Sequence, residues 1–309
     1  MTMATGSSMY FSGCTTSGNN FELPANLFST TPILTNLTVN RTNGIRIGTN
    51  TIKVSGVLTL TDGNLNTNNT LILTSTASGT ARVAPISATA SLSGFVTVER
   101  FIPGGLNKRK WRLLSFPVNI SGGIEFNQLI DNVLITAPAG IAGGFDVNPL
   151  NPANTASLRT YNESITGAAG NGWTDPNTIN ASIITGTGFE LFVRGSRNLA
   201  NPYLSWTVPD DVTLDYLGNL NVNDVNLNLS YTNTGNPTAD GFNLVGNPYA
   251  SPINFDTTNF TSTNIQNKFW SYNPNTGTYG IYDADLDLGT NGITKYIAPS
   301  QGFFVKATS

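Results

Sequence analysis

The sequence predicts an all-β chain: a short β-solenoid docked on a β-sandwich that contains an internal repeat. Three observations carry this. Gly, Asn and Pro punctuate the chain roughly every ten residues, a turn frequency suited to short strands. Asn36-Leu37-Thr38-Val39 and Val57-Leu58-Thr59-Leu60 lie 21 residues apart, and Ile52 and Leu73 share that separation. Three elements also occur twice in the same order. WRLLSFPV (Trp111–Val118), LRTYNESITG (Leu158–Gly167) and TGFELFVRG (Thr187–Gly195) are followed by FNLVGNPY (Phe242–Tyr249), FWSYNPNTG (Phe269–Gly277) and SQGFFVKA (Ser300–Ala307). An in-order repeat of this kind marks structural units.

Residues 1–19 read as an added remnant or a disordered start. Phe11-Ser12-Gly13-Cys14 has the outline of a lipoprotein cleavage box, but MTMATGSSMY before it has neither a cationic start nor an apolar run. Residues 20–80 read as the solenoid. Apolar pairs recur there every six to eight residues (Leu37/Val39, Ile45/Ile47, Ile52/Val54, Leu58/Leu60), with Asn43-Gly44 and Asp62-Gly63 between them. Alternation within each pair gives strands, and three strands per coil of about 20 residues is a solenoid pattern. A plain antiparallel meander is the competing reading. About two coils is fewer than the three such folds normally need. The exposed end is therefore expected to dock on another copy, another domain, or Met1–Thr31 folded back as a cap.

Residues 81–309 read as the sandwich, with related halves at about 111–195 and 242–307. Phe95–Ile102 and Trp111–Val118 suggest a hairpin through Pro103-Gly104-Gly105. Further strands are expected at Phe189–Arg194, Leu204–Val208, Val222–Tyr231, Phe242–Val245, Phe269–Tyr272, Tyr279–Tyr282 and Gly302–Ala307.

Composition narrows the chemistry. The 309 residues include no histidine, which removes Ser-His-Asp and Cys-His catalysis and His-ligated zinc. The lone cysteine, Cys14, has no internal disulfide partner. Charged residues are 11% and net charge is −3; the densest basic cluster, Lys108, Arg109, Lys110 and Arg112, is too small for a polynucleotide face. No apolar run approaches a membrane span, so no membrane insertion is expected.

Four groups remain as candidate sites. Asp283, Asp285 and Asp287 alternate in YDADLDLGTNG, a spacing that can converge on one hard cation, with Ca²⁺ the expected ion. The competing reading of the same acids is an exposed strand edge or turn with solvated carboxylates. Asp210, Asp211, Asp215 and Asp224 contain enough carboxylates for a glycosidase pair, but nothing selects two of them. Trp173, in GNGWTDPN, is the best candidate for an exposed, glycan-stacking ring, whereas Trp111 and Trp270 sit in strands and read as core. Thr38, Thr59 and Thr61 share a solenoid face too small to act as an ice-binding surface.

GFNLVGNPYASPINF, NKFWSYNPNTGTYGIY and IAPSQGFFVKA, preceded by NLTVNRTNGIRI and RKWRLLSFPV, resemble a module of large Bacteroidetes surface proteins. The resemblance covers about residues 33–307. It implies export by type IX secretion, an extracellular cell-surface location and a solenoid-then-sandwich order. It also implies an O-glycan attachment at Thr257, in Asp256-Thr257-Thr258. Residues and resemblance together favour a structural or adhesive surface module over an enzyme. Its expected partners are neighbouring domains of a parent protein, other copies of itself, or surface glycans. The alternative is a polysaccharide-binding module, or an accessory domain of a secreted glycan-active enzyme.

Overall fold

The computed structural model describes residues 6–13, 21–24, 27, 28, 30–151, 153–256 and 263–309. It is all-β, its helical content limited to three 3₁₀ turns among those residues. The N-terminal part is a solenoid of about three turns. It comprises β1 (Met9–Ser12), β2 (Phe21–Glu22), β3 (Ile33–Asn40), β4 (Ile45–Arg46), β5 (Ile52–Asn66), β6 (Leu71–Leu73), the small hairpin β7 (Ser75–Thr76) and β8 (Gly79–Thr80), then β9 (Arg82–Val83), β10 (Ala90–Ser93) and β11 (Val96–Ile102). Three parallel ladders wrap it: β1–β3–β5–β9, β2–β4–β5–β10 and β3–β5–β6–β11.

The sequence register holds where it was strongest. Leu37 lies opposite Leu58, Thr38 opposite Thr59 and Val39 opposite Leu60. Apolar members of each alternating pair stack inward: Leu34, Leu37, Val39, Ile52, Val54, Leu58 and Leu60 are fully buried. Elsewhere the coil length changes. Ile52 pairs with Leu71, not Leu73, because this coil turns one pleat earlier.

Two expected boundaries are corrected. Met9–Ser12 do not lie outside the fold: they pair in parallel with Leu37–Asn40, and Met9 and Phe11 pack on the core. Nor does the solenoid stop at residue 80, since β9, β10 and β11 complete a third turn. The expected cap is thus present in part as β1. Removing residues 1–12 should expose the Leu37–Val39 edge and cost on the order of 2 kcal/mol, the worth of burying one large apolar side chain. Thermal melting with light scattering reads this as a lower Tm or new oligomers. An unchanged, monomeric melt would show that β1 protects nothing.

The solenoid joins the rest of the chain by continuing its sheet. β11 pairs in parallel with β6 and, along its other edge, in antiparallel fashion with β19 (Val212–Leu220), from Val96↔Gly218 to Ile102↔Val212. The last parallel edge is therefore covered by seven residue pairs rather than left open. The expected β11 hairpin with Trp111–Val118 does not form. Pro103–Gly105 instead carries the chain away to a second sheet, pinned where the Gly104 N–H donates to Asp211 Oδ1 (2.8 Å).

That sheet and its counterpart are the two repeat copies. Between the solenoid and β19 lie β12 (Lys110–Ser115), β13 (Val118–Asn119), β14 (Ile124–Glu125), β15 (Leu158–Tyr161), β16 (Trp173–Thr174), β17 (Ser182–Ile183) and β18 (Gly188–Val193). After β19 come β20 (Phe242–Gly246), β21 (Ile253–Asn254), β22 (Ile265–Asn273), β23 (Thr278–Asp283), β24 (Leu288–Gly289), β25 (Tyr296–Ile297) and β26 (Gly302–Ala307). The first copy orders its strands β12-β18-β15-β16 and the second β20-β26-β22-β23, with β24 added. Each copy also carries a two-stranded satellite, β14-β17 and β21-β25. Registers superimpose: Ser115↔Gly188 matches Gly246↔Gly302, and Leu158↔Leu191 matches Phe269↔Val305.

The copies meet through equivalent residues. Leu114 bridges Gln301, and its counterpart Val245 bridges Thr187, the counterpart of Gln301. The Ser115 N–H donates to Ser300 O (3.1 Å), and the Gly246 N–H to Gly186 O (2.8 Å). Such reciprocity, in which residue i meets j′ while j meets i′, defines a local two-fold. Leu113, Leu244 and Phe304 are buried between the two sheets. Behind them, the first sheet shares the solenoid's core and the second has its own, around Phe255, Phe269 and Phe303.

Two expected strands are absent. Leu204–Val208 is a run of turns starting after Asn201, whose φ is +55°. Val222–Tyr231 alternates like a strand, and Leu227 and Leu229 do pack on the second core. Its backbone is bonded, however, by a side chain: Asn243 accepts from the Ser230 N–H (2.9 Å) and donates to Ser230 O (2.9 Å).

Candidate functional site: an aromatic cleft between the repeats

The seam between the sheets is built from matched positions with unmatched chemistry. Where β15 of the first copy has Arg159, β22 of the second has Trp270. Where β18 has Glu190, β26 has Phe304. The first copy therefore fills its part of the seam with an ion pair. Arg159 lies 3.9 Å from Glu190 and 4.5 Å over the Trp111 ring. The second copy fills the equivalent part with aromatic rings.

Tyr161, Trp173, Phe242, Trp270, Tyr279 and Phe304, with Ala169 and Gly170, line a cleft of about 220 Å³ there. Phe304 is its buried floor. Tyr161, Trp173 and Phe304 are mutually near-perpendicular, each pair at 83° with centroids 4.8–5.7 Å apart. Phe242 stands at 85° to Phe304. Edge-to-face contacts of this kind stabilise the walls against one another. The Tyr161 hydroxyl donates to Ala169 O (2.8 Å), fixing the loop beside the cleft.

Trp173 therefore belongs to a concave cluster and is half-buried. The fully exposed indole is that of Trp206 (75%), which sequence reasoning passed over. The importance of Tyr161, Tyr279 and Phe304 was also missed. Its signal lay in the repeat alignment, where the Arg159/Glu190 pair stands opposite Trp270/Phe304.

Glu190 is 6% exposed, and burial pushes its carboxyl up from 4.5 to about 7, with Arg159 pulling it back. Its charge in turn helps burial raise the Tyr279 phenol. Between about pH 4.5 and 7 the folded protein holds a proton that the unfolded chain has released. Stability from this group thus falls as pH rises through that window and is level above it. The span corresponds to a cost on the order of 3 kcal/mol at neutral pH. Glu190→Gln should remove that slope, so its Tm relative to the parent rises between pH 4.5 and 7.5 in paired melts. A constant difference between the two would mean that Glu190 titrates normally.

The candidate acids Asp283, Asp285, Asp287, Asp210, Asp211 and Asp215 each have polar partners of their own. Asp283 pairs with Lys268 (2.7 Å), Asp285 accepts from Asn267 (2.8 Å), and Asp287 accepts from the Tyr282 hydroxyl (2.7 Å) beside Lys295. They close the β23–β24 turn separately and do not converge. Among the described residues no group of three acidic or cysteine side chains is arranged to hold an ion. Asp210 accepts from the Ser196 N–H and hydroxyl (2.6 Å each), Asp211 from Gly104, and Asp215 from Asn132 (2.7 Å). Asp210 and Asp211 latch loops, whereas Asp215 sits on β19, where its charge adds to burial in raising the Asp131 carboxyl. Thr257 and Cys14 lie outside the described residues.

No family model matches the chain, and no curated protein or solved structure is detectably similar to it.

Proposed function

We propose that the chain is a structural and adhesive module of an exported bacterial surface protein, displayed outside the cell and holding its neighbouring domains apart. The observation that carries this reading is the unbroken backbone ladder. Parallel solenoid strands pass through β11 into β19, and β13 continues the same sheet. A continuous sheet that joins the solenoid directly to the repeats suits a spacer. Low surface charge and abundant Asn and Thr suit an extracellular setting. The resemblance to Bacteroidetes surface modules adds type IX secretion as the export route. The reading includes no catalytic role, since the chain has no histidine and its candidate carboxylates serve as hydrogen-bond acceptors in turns and latches. Among the described residues no helix is long and apolar enough to cross a membrane.

The test is labelling of intact producing cells with a membrane-impermeant biotin reagent. Labelling of this protein, with a cytosolic marker left unlabelled, is the expected result. Protection until the cells are lysed would contradict surface display.

A further inference from the structure

We propose that the aromatic cleft between the two repeats binds a quaternary ammonium group, seated against the corner formed by Tyr161, Trp173 and Phe304. The proposal gives the adhesive reading a ligand class, and its biological use rests on that reading. Binding itself does not.

The first argument is shape. Three ring planes at 83° to one another form the corner of a box, with Phe242 standing upright from the same floor. Six aromatic side chains around one compact space suit a cation without directional hydrogen bonds. The volume, about 220 Å³, lies below the roughly 300–1,000 Å³ of sites for larger ligands, so a head group is the fitting occupant.

The second argument is the hydrogen-bonding inventory. No charged residue lines the cleft. Its polar side-chain atoms are two indole N–H groups and two phenols, and the Tyr161 phenol already donates to Ala169. Sugar hydroxyls placed there would find only the two phenol oxygens as side-chain acceptors, and each group left unsatisfied is costly. A trimethylammonium group has no such need.

The third argument comes from the local two-fold. At the equivalent place in the first copy, the protein supplies its own cation, with Arg159 over Trp111 and Glu190 behind it. Phe242, the counterpart of Trp111, is likewise covered by Lys306 at 4.6 Å. Trp270 and Phe304 replace Arg159 and Glu190 in the cleft. Among the described residues no Lys or Arg lies over Tyr161, Trp173, Tyr279 or Phe304. Of the described cleft rings Phe242 alone carries an internal cation, and the place of the Arg159–Glu190 ion pair is taken by Trp270 and Phe304.

The experiment titrates the full chain with choline chloride and with 3,3-dimethylbutan-1-ol, its neutral isostere, at matched ionic strength. Tryptophan fluorescence and calorimetry supply the readouts. Choline should saturate and bind roughly fivefold or more tightly than the isostere, the margin expected from a cation–π contribution. Trp173→Ala should abolish binding. Tyr279→Ala, at a wall residue 44% exposed, should weaken it in a protein whose unchanged melting shows that it is folded. Phosphocholine, betaine and a trimethyl-lysine peptide then distinguish the sources of the group by their order of affinity. Equal binding of the isostere, saturation by methyl glucoside but not choline, or no saturable signal from choline would each overturn the proposal. Choline binding by a protein that fails surface labelling would sink the adhesive reading alone; labelled protein without choline binding would sink the cleft alone.

Discussion

Replacing Gly246 by valine should cost about 3 kcal/mol or more of folding stability, the upper range for forcing extra atoms into a packed core. The position is special because of what it faces. A Cβ there would collide with the Ser115 Cβ across the local two-fold. Nearby, a Cβ on Gly188 would come within 2.6 Å of Val245 O, and one on Gly302 within 2.7 Å of Leu114 O. The atoms met are backbone or a Cβ fixed to it, which cannot move aside as the end of a flexible side chain could. The two sheets would have to separate, loosening Leu113, Leu244 and Phe304 between them. Chemical denaturation monitored by circular dichroism and tryptophan fluorescence checks the size of the loss. A variant within about 0.5 kcal/mol of the parent, as for an ordinary surface change, would show that the copies are not held this closely.

Phe116→Ala should be comparably damaging, at about 3–5 kcal/mol for an aromatic ring deleted from a core. Phe116 is buried among three rings: Phe189 at 5.2 Å, Tyr216 at 5.4 Å and edge-on, and Phe126 at 6.1 Å. Those rings belong to different parts of the molecule. Phe189 lies in the first repeat, Phe126 follows its satellite strand, and Tyr216 is on β19, the strand that closes the solenoid sheet. The Tyr216 hydroxyl accepts from Ser300 (2.8 Å), whose backbone carbonyl in turn bonds Ser115. A cavity at Phe116 thus loosens the junction of solenoid, first copy and second copy together. Trp206→Ala, at a ring 75% exposed, serves as the control and should change stability by no more than about 0.5 kcal/mol.

What the sequence revealed follows a physical division. The solenoid register was legible because each buried side chain sits on its counterpart in the next coil, so Leu37 and Leu58 advertise the coil length themselves. The repeat was legible because both copies need the same strand order and the same close approaches. The start at Met9 was not, since a four-residue strand paired at one edge has little periodicity to show. Val222–Tyr231 has a strand's alternation, but its partner is the Asn243 side chain, which propensity does not reveal. Paired acids are weak signals for a related reason. Asp283, Asp285 and Asp287 share a spacing, yet each turns to a different neighbour. The cleft was half legible: Trp173 was singled out, but its setting depends on residues more than a hundred positions away, Tyr279 and Phe304. Only the alignment of Arg159 with Trp270 and of Glu190 with Phe304 would have pointed to it.

The pairing of the two repeats across a local two-fold is tested most directly by exchanging the residues on its axis. Ser115→Gly and Gly246→Ser, made together, place the one permitted Cβ on the opposite side of the seam. In the parent, the Ser115 hydroxyl donates to Asn247 O (3.0 Å). A serine at 246 would find the equivalent carbonyl of Phe116. Gly246→Ser alone should be strongly destabilising, and the double variant should recover most of that loss, a coupling well beyond the roughly 0.5 kcal/mol scatter of independent sites. If the two changes simply add, leaving the exchanged protein less stable than either single variant, the copies do not meet as equivalent halves.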